Sequence, residues 1–374
     1  MQETNGTWIP FEWMQDFMQA VFVAAGVPEE DAQVCTDVLL AADKRGIDSH
    51  GIGRLKPIYI DRIQQGILNP VTRIEILRDG PATAVVDGNN GMGHVIGVRC
   101  MEMAIEKART YGLGMVVARN STHYGIAGYY GLMASEQDMI GLTGTNARPS
   151  IAPTFGVENM LGTNPMTWVM PTDEGFPFFL DCATSITQRG KIEVYEREGK
   201  QIPEGWVIGK DGQIRTDTSQ ILKDLTSGNA ALLPLGGAGE QTGGYKGYGY
   251  ATVVEILSAA LQGGSFLKML SGFDAGGNRV PYPLGHFFLA INIDAFTDVD
   301  SFKQITGDIL RELRHSLRAP GQPRIFTPGE KEHDAWMQRK DKGVPVNDPL
   351  KKDMEALRES LGLDGFHFPW EQSQ

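Results

Sequence analysis

Only three cysteines, Cys35, Cys100 and Cys182, occur in 374 residues, and they stand far apart. They make no C-x-x-C pair and no disulfide framework, so a reducing compartment, the cytoplasm, is the expected setting. No apolar run reaches the ~18 residues that a membrane span requires. The first ten residues, MQETNGTWIP, lack a basic segment followed by an apolar one, so no signal peptide is expected. Basic residues are also in deficit: 34 Lys and Arg against 46 Asp and Glu give a net charge of −12. An acidic chain argues against nucleic acid, which calls for a basic face. The seven histidines show no H-E-x-x-H or comparable spacing, so no metal site is expected.

What remains is an ordinary globular composition, and at ~150 residues per domain the length suggests two or three domains. Residues 10–45 read as two helices: Pro28 fits a first helical turn, Glu29, Glu30 and Asp31 follow it, and Gly46 ends the run. After a loop, DSHG, the stretch RLKPIYIDRIQQG reads as a short helix stopped by Gly66. From about residue 74 the texture changes. RIEIL, TAVVDG, GMVVARN, IGLTGTN, TWVMPT, FPFFLD and, later, GHFFLAINID are apolar, β-branched or aromatic runs that read as strands. Helical stretches at 98–111, 126–138 and 187–198 alternate with them, as in an α/β region. GKDGQ at 209–213 reads as a hairpin turn. From about 299 the chain is helical again, with Asp348-Pro349 starting the last helix. The expected layout is a helical part at 1–75, an α/β part at 76–298 and a helical part at 299–374 that packs with the first.

NGMGHVIG, residues 90–97, lies between a strand and a helix and invites a dinucleotide-binding reading. Its glycines, Gly91, Gly93 and Gly97, are one residue too long for G-x-G-x-x-G. The next strand ends in Arg119, where NAD binding asks for an acid and a 2′-phosphate would accept an arginine. A tight corner is the other reading. GGAGEQTGGYKGYG lacks G-K-[ST] but sets Gly243, Gly244, Lys246, Gly247 and Gly249 at a helix start, either an anion site or a flexible loop.

DSHGIGRLKPIY gathers Ser49, His50, Arg54 and Tyr59. An imidazole that titrates near neutrality beside a guanidinium fork is what a 2-oxo acid reductase needs: a proton donor and a carboxylate clamp. A capping serine beside a surface histidine is the bland alternative. His123 follows a strand in ARNSTHYGIAG, where sites form in α/β domains, and a backbone-satisfied histidine reads equally well. Asp181 ends a buried run in FLDCATS and needs a partner, an imidazole or a turn.

These residues belong to a longer set of blocks: DSHGIGRLKPIY, NGMGHVIG, MAIEKARTYGLGMVVARNSTHYGIAGYYGLMA, TNARPSIAPTFG, LGTNP, LDCATS, RGKIEV, IPEGW, ALLPLGG, GYKGYG and PGE, in order over roughly residues 40–330. In them the chain resembles the malate/L-lactate dehydrogenase family that is unrelated to the Rossmann enzymes and that includes ureidoglycolate, sulfolactate and diketogulonate oxidoreductases. The resemblance implies a non-Rossmann α/β fold, with a central mixed-sheet cofactor domain and a helical domain built from both termini. It implies NAD or NADP as cofactor, NAD slightly favoured, held near Asp181, Cys182, Ala183, Thr184, Lys191, Lys246, Gly247 and His286. NGMGHVIG then becomes a structural corner. The catalytic and substrate groups map to Ser49, His50, Arg54, Tyr59 and His123, with His50 favoured as acid/base, oriented by Ser49 and Asp181, and His123 polarising the substrate or the nicotinamide amide.

Arg148 stands where the family commonly has a small residue. Facing the pocket, it would bind a second carboxylate and favour a dicarboxylate such as malate; facing solvent or the cofactor phosphate, it would not. The insertion GGAGEQTG and the tail after 330 also exceed the shorter members. The reading is hydride transfer between NAD(P)H and a 2-oxo acid, of malate or lactate type, by a homodimer acting on a small molecule with no membrane or nucleic-acid partner. A cyclic imino acid reductase and a non-redox phosphate-ligand-binding protein are the alternatives.

Overall fold

The runs read as strands form one seven-stranded sheet in a computed structural model that describes residues 6–373. Its spatial order is Glu75–Asp79, Thr83–Asp87, Leu113–Ser121, Leu284–Asn292, Met139–Thr145, Met166–Met170 and Phe178–Cys182. Only Thr83–Asp87 and Leu113–Ser121 pair in parallel. Every other neighbouring pair is antiparallel, because the late strand Leu284–Asn292 inserts between Leu113–Ser121 and Met139–Thr145 and opposes both. That mixed order is incompatible with the parallel βαβ units of a dinucleotide-binding Rossmann sheet.

The inserted strand is apolar along its length because both faces are covered. Phe288 joins Val116, Ile96, Met101, Ala104 and Tyr130 beneath helices Gly93–Tyr111 and Gly128–Ser135. Phe287 joins Val117 and Val254 beneath helix Gly244–Ala259 on the opposite face. The period-two alternation thus places adjacent residues in two different cores.

The N-terminal helices Phe11–Ala24 and Glu29–Lys44 bury Met14, Phe17, Phe22 and Leu39 in a separate core, closed by Met354, Leu357 and Phe368 from the chain's far end. Strand Thr7–Ile9 pairs antiparallel with Val344–Val346 in the same region. These three-residue strands carry no periodic signal and are absent from the sequence reading. Helix Val299–His315 lies elsewhere: Arg311 pairs with Asp173 at 2.9 Å and Arg314 with Glu174, on the turn between strands Met166–Met170 and Phe178–Cys182. A small three-stranded sheet, Ala230–Leu232, Val207–Gly209 and Ile214–Arg215, includes the expected turn, closed by Gly209 N–H donating to the Gln213 carbonyl.

Candidate active site

The DSHG loop leaves helix Glu29–Lys44 and re-enters a short 3₁₀ turn, Ile52–Arg54. Buried Asp43, on the last turn of that helix, accepts the Ile52 N–H at 2.9 Å and so fixes the re-entry. Burial pushes the Asp43 carboxyl up to about 8. From the C-terminal helix Glu330–Arg339, Arg339 reaches across to the Asp43 carbonyl and to both oxygens of Asp48. The loop is therefore held from both ends of the chain.

On this loop Ser49 Oγ lies 2.8 Å from His50 Nδ1. Arg54 turns back to donate Nε–H to the Ser49 carbonyl, which leaves its two NH₂ groups without a protein acceptor among the described residues. The His50 ring faces His123 across 5.8 Å, 20° from parallel. His123 is supported from behind by Tyr59, whose hydroxyl lies 2.6 Å from Nδ1, and the Gly125 N–H donates to the same nitrogen at 3.3 Å. A nitrogen that accepts from a backbone N–H carries no proton, so Nε2 of the neutral ring bears the hydrogen and stays free to donate.

NGMGHVIG supplies the floor of this site. Asn89 and Asn90 adopt left-handed conformations, and helix Gly93–Tyr111 starts at once. The Gly93 N–H donates to Thr122 Oγ1 at 2.9 Å. A Cβ on Gly93 would lie 2.3 Å from the Thr122 carbonyl oxygen and 2.5 Å from that of His123. The glycine is required because the helix start touches the backbone that carries His123. Arg119, which might have met a 2′-phosphate, pairs with Asp87 at 2.9 Å.

His94 follows Gly93 and escaped the sequence reading. It is fully buried under Tyr59, ring centroids 4.5 Å apart, and neither ring nitrogen has a partner. Its place in a glycine turn gave no signal of this. Burial lowers its pKa to about 3. Burial, with Arg54 adding positive charge, lowers that of His50 to about 4. Burial first, then His50, His94, Arg54 and Arg62, hold His123 well below the usual imidazole value. Both imidazoles facing the site are neutral at pH 7.

Three expected residues stand apart from this cluster. Asp181 does not orient His50: its oxygens accept from the Gly128 N–H at 2.8 Å and from Thr167 Oγ1 at 2.9 Å, tying its strand to helix Gly128–Ser135. His286 is fully buried in the sheet. Thr145 uses its hydroxyl hydrogen on the Asn146 and Gly285 carbonyls, so His286 Nδ1–H donates to Thr145 Oγ1 and Nε2 accepts from Ser121, each at 2.7 Å. Its ring stacks on Tyr124 at 4.3 Å. It is a satisfied core histidine. Thr184 directs its hydroxyl to the carbonyls of Thr163 and Asn164, so only the backbone around it can meet a ligand.

Cys182, exposed, and Ala183 lead into this segment. Beside them Ser185 Oγ and Thr187 Oγ1 are buried hydroxyls without partners. Lys191 is exposed and lies 5.3 Å over the Trp206 ring. Helix Gly244–Ala259 starts at Gly243 with no side-chain cap, exposed Lys246 is in its first turn, and Gly247 packs so closely that a Cβ would lie 2.1 Å from the Leu235 carbonyl. Two orphan hydroxyls, two lysines and an uncapped helix start suit the polar, anionic character of a dinucleotide. Arg148 is exposed and joins neither this segment nor the His50–His123 cluster: it donates Nε–H to the Ser271 carbonyl at 3.1 Å and borders a small cavity with Arg62 and Arg279.

Comparison with known proteins gives a consistent picture. The family model described as malate/L-lactate dehydrogenase matches residues 9–355. A malate dehydrogenase of Pyrococcus horikoshii is 43% identical, over 96% of each chain. An L-sulfolactate dehydrogenase of Methanocaldococcus jannaschii is 41% identical, over 91% of this chain and 93% of that protein. The crystal structure of malate dehydrogenase from Entamoeba histolytica superposes with a TM-score of 0.92 at 43% identity, covering 98% of this chain and all of that one.

Proposed function

The chain belongs to the malate/L-lactate dehydrogenase family, and from that premise we propose that it interconverts a 2-hydroxy acid and its 2-oxo acid with a nicotinamide cofactor, with malate and oxaloacetate as the pair. The observation that carries the reading is the joint placement of His50 and His123 beside the unpartnered guanidinium face of Arg54. Relatives named malate dehydrogenase at 43% identity support the substrate pair.

Cys182, Ala183, the backbone at Thr184, Lys191, Lys246 and Gly247 would hold the cofactor, which accepts or supplies the hydride. NAD is favoured, since a relative from Escherichia coli, 28% identical, is named ureidoglycolate dehydrogenase (NAD(+)). The substrate carboxylate rests on Arg54, whose free NH₂ groups offer a two-point contact. In oxidation, neutral His50 takes the hydroxyl proton, with Ser49 fixing its ring, and His123 steadies the same oxygen through Nε2–H. In reduction the proton returns by the same route. The bound carboxylate cancels the Arg54 charge that depresses His50, so substrate binding itself raises the affinity of the imidazole for that proton.

A homodimer in the cytoplasm completes the reading. Tyr250, Val253, Ile256, Leu261, Phe266 and Met269 expose apolar surface along and after helix Gly244–Ala259, which suits a second copy. No helix among the described residues is long and apolar enough to cross a membrane.

Assays of oxaloacetate, pyruvate and a cyclic imino acid, each with NADH and with NADPH, test the proposal. Oxaloacetate with NADH is expected to give the highest kcat/KM. Turnover of the imino acid alone would overturn it.

A further inference from the structure

Glu255 is a buried carboxylate that the proton transfer above does not use. No cation pairs with it among the described residues, and burial raises its pKa. A carboxylate taken out of water without a counter-charge persists only where hydrogen bonds satisfy it. One oxygen accepts from Asn164 Nδ2 and the other from the Leu267 N–H, each at 2.8 Å. Both donors belong to non-glycine residues in the left-handed region, with φ 36° at Asn164 and 49° at Leu267. Such backbone persists where its surroundings over-determine it. Asn164 also precedes Pro165 in LGTNP, which narrows its backbone choices further. Its Nδ2 donates a second time, to the Ala251 carbonyl at 3.1 Å.

These contacts join two stretches that are far apart in sequence. Ala251 and Glu255 lie on helix Gly244–Ala259, about one and two turns beyond Gly247. The Asn164 carbonyl accepts the Thr184 hydroxyl at 2.9 Å, and the Thr163 carbonyl accepts the Thr184 N–H at 3.0 Å. The Thr184 carbonyl in turn accepts the Leu235 N–H at 2.8 Å, and the Leu235 carbonyl is the atom that packs against Gly247. The helix start and the LDCATS segment are thus braced at two points: through Leu235, and through Asn164 with Glu255.

We propose that Glu255 and Asn164 are positioning residues for the cofactor: they set the helix start at Lys246 and Gly247 against the backbone at Thr184, so that the two halves of the dinucleotide site form one rigid unit. The inference rests on the cofactor assignment above and names what holds its parts together. A site that supporting hydrogen bonds keep in place binds its ligand without first being ordered, and loosening the brace adds that cost to binding.

The test is NADH fluorescence titration with steady-state kinetics on Glu255→Gln and Asn164→Ala. Glutamine keeps the shape but replaces one of the two acceptor oxygens with a donor. The Kd for NADH is expected to rise about 5–20-fold in each variant, while kcat at saturating NADH and the KM for oxaloacetate stay within about twofold of wild type. A merely structural role would lower the folded fraction, hence kcat, and leave the Kd for NADH as it was. A Kd within about twofold of wild type in both variants overturns the proposal. Asn164→Ala cuts the link from the other side, so the test stands should Glu255→Gln fold poorly. If wild type binds no NADH, the cofactor reading fails, and hydrogen exchange decides the brace alone: amides of residues 182–187 should exchange faster in both variants, and wild-type rates would overturn it.

Discussion

The rings of His50 and His123 face each other across 5.8 Å, although one sits on a loop of the helical region and the other at the end of a sheet strand. Neither segment makes a site alone. The loop brings Ser49 and Arg54, the strand end brings Gly125, and Tyr59 links them through its hydroxyl.

If His50 moves the proton, His50→Ala removes general acid/base help and lowers kcat by roughly 10²–10⁴-fold. Nicotinamide affinity, followed by NADH fluorescence, should stay within about twofold, because His50 belongs to none of the segments assigned to the cofactor. Activity within a few-fold of wild type would move the proton donor elsewhere.

Tyr59→Phe keeps the buried ring and removes the hydroxyl that fixes His123 Nδ1. A net hydrogen bond of about 0.5–1.5 kcal/mol corresponds to roughly a 2–10-fold loss in kcat. The melting temperature should change little. A large fall in stability with normal kcat would make Tyr59 a packing residue only.

Gly93→Ala forces a methyl group against the carbonyls of Thr122 and His123. Overpacking of this kind costs about 1–3 kcal/mol. The variant should therefore unfold at lower urea concentration and also lose activity, since the displaced backbone carries His123. A stability loss without any change in kcat/KM would show that the strand end yields elsewhere.

The pH dependence of stability follows from His94. The unfolded chain protonates this histidine near pH 6.5, the folded one only near 3. Between those values the unfolded state binds more protons, so stability falls as the pH falls, by up to about 1.4 kcal/mol per pH unit for each such group. His50 and His286 are depressed in the same direction. His94→Leu, which removes two partnerless nitrogens, should flatten the decline in urea midpoint between pH 7 and pH 5. A wild-type slope in the variant would contradict this origin.

Much of this fold is legible in the sequence. The sheet strands announced themselves because Phe287 and Phe288, or Val116 and Val117, must each fill a core, and such runs cannot be polar. The DSHG cluster was visible because its groups are neighbours in sequence. What stayed hidden depends on distant pairings. Arg62 and Arg279 line one cavity only because the loop before strand Leu284–Asn292 folds over the helical turn after Tyr59. The resemblance put His286 near the cofactor, yet the insertion of its strand between two others turned it into the sheet, where Ser121 and Thr145 satisfy it. Asp181 looked like a histidine partner, and Gly128 and Thr167 met its need first. Spacing reports neighbours along the chain, while burial is decided by what packs on top.

The central claim is that Arg54 holds the substrate carboxylate while the two imidazoles share the reacting oxygen. A crystal structure of the enzyme with NADH and oxamate tests it most directly. The account predicts the oxamate carboxylate on the Arg54 NH₂ groups and its carbonyl oxygen within hydrogen-bond distance of both His50 Nε2 and His123 Nε2. Oxamate bound away from Arg54, or with its carbonyl facing neither histidine, would contradict it.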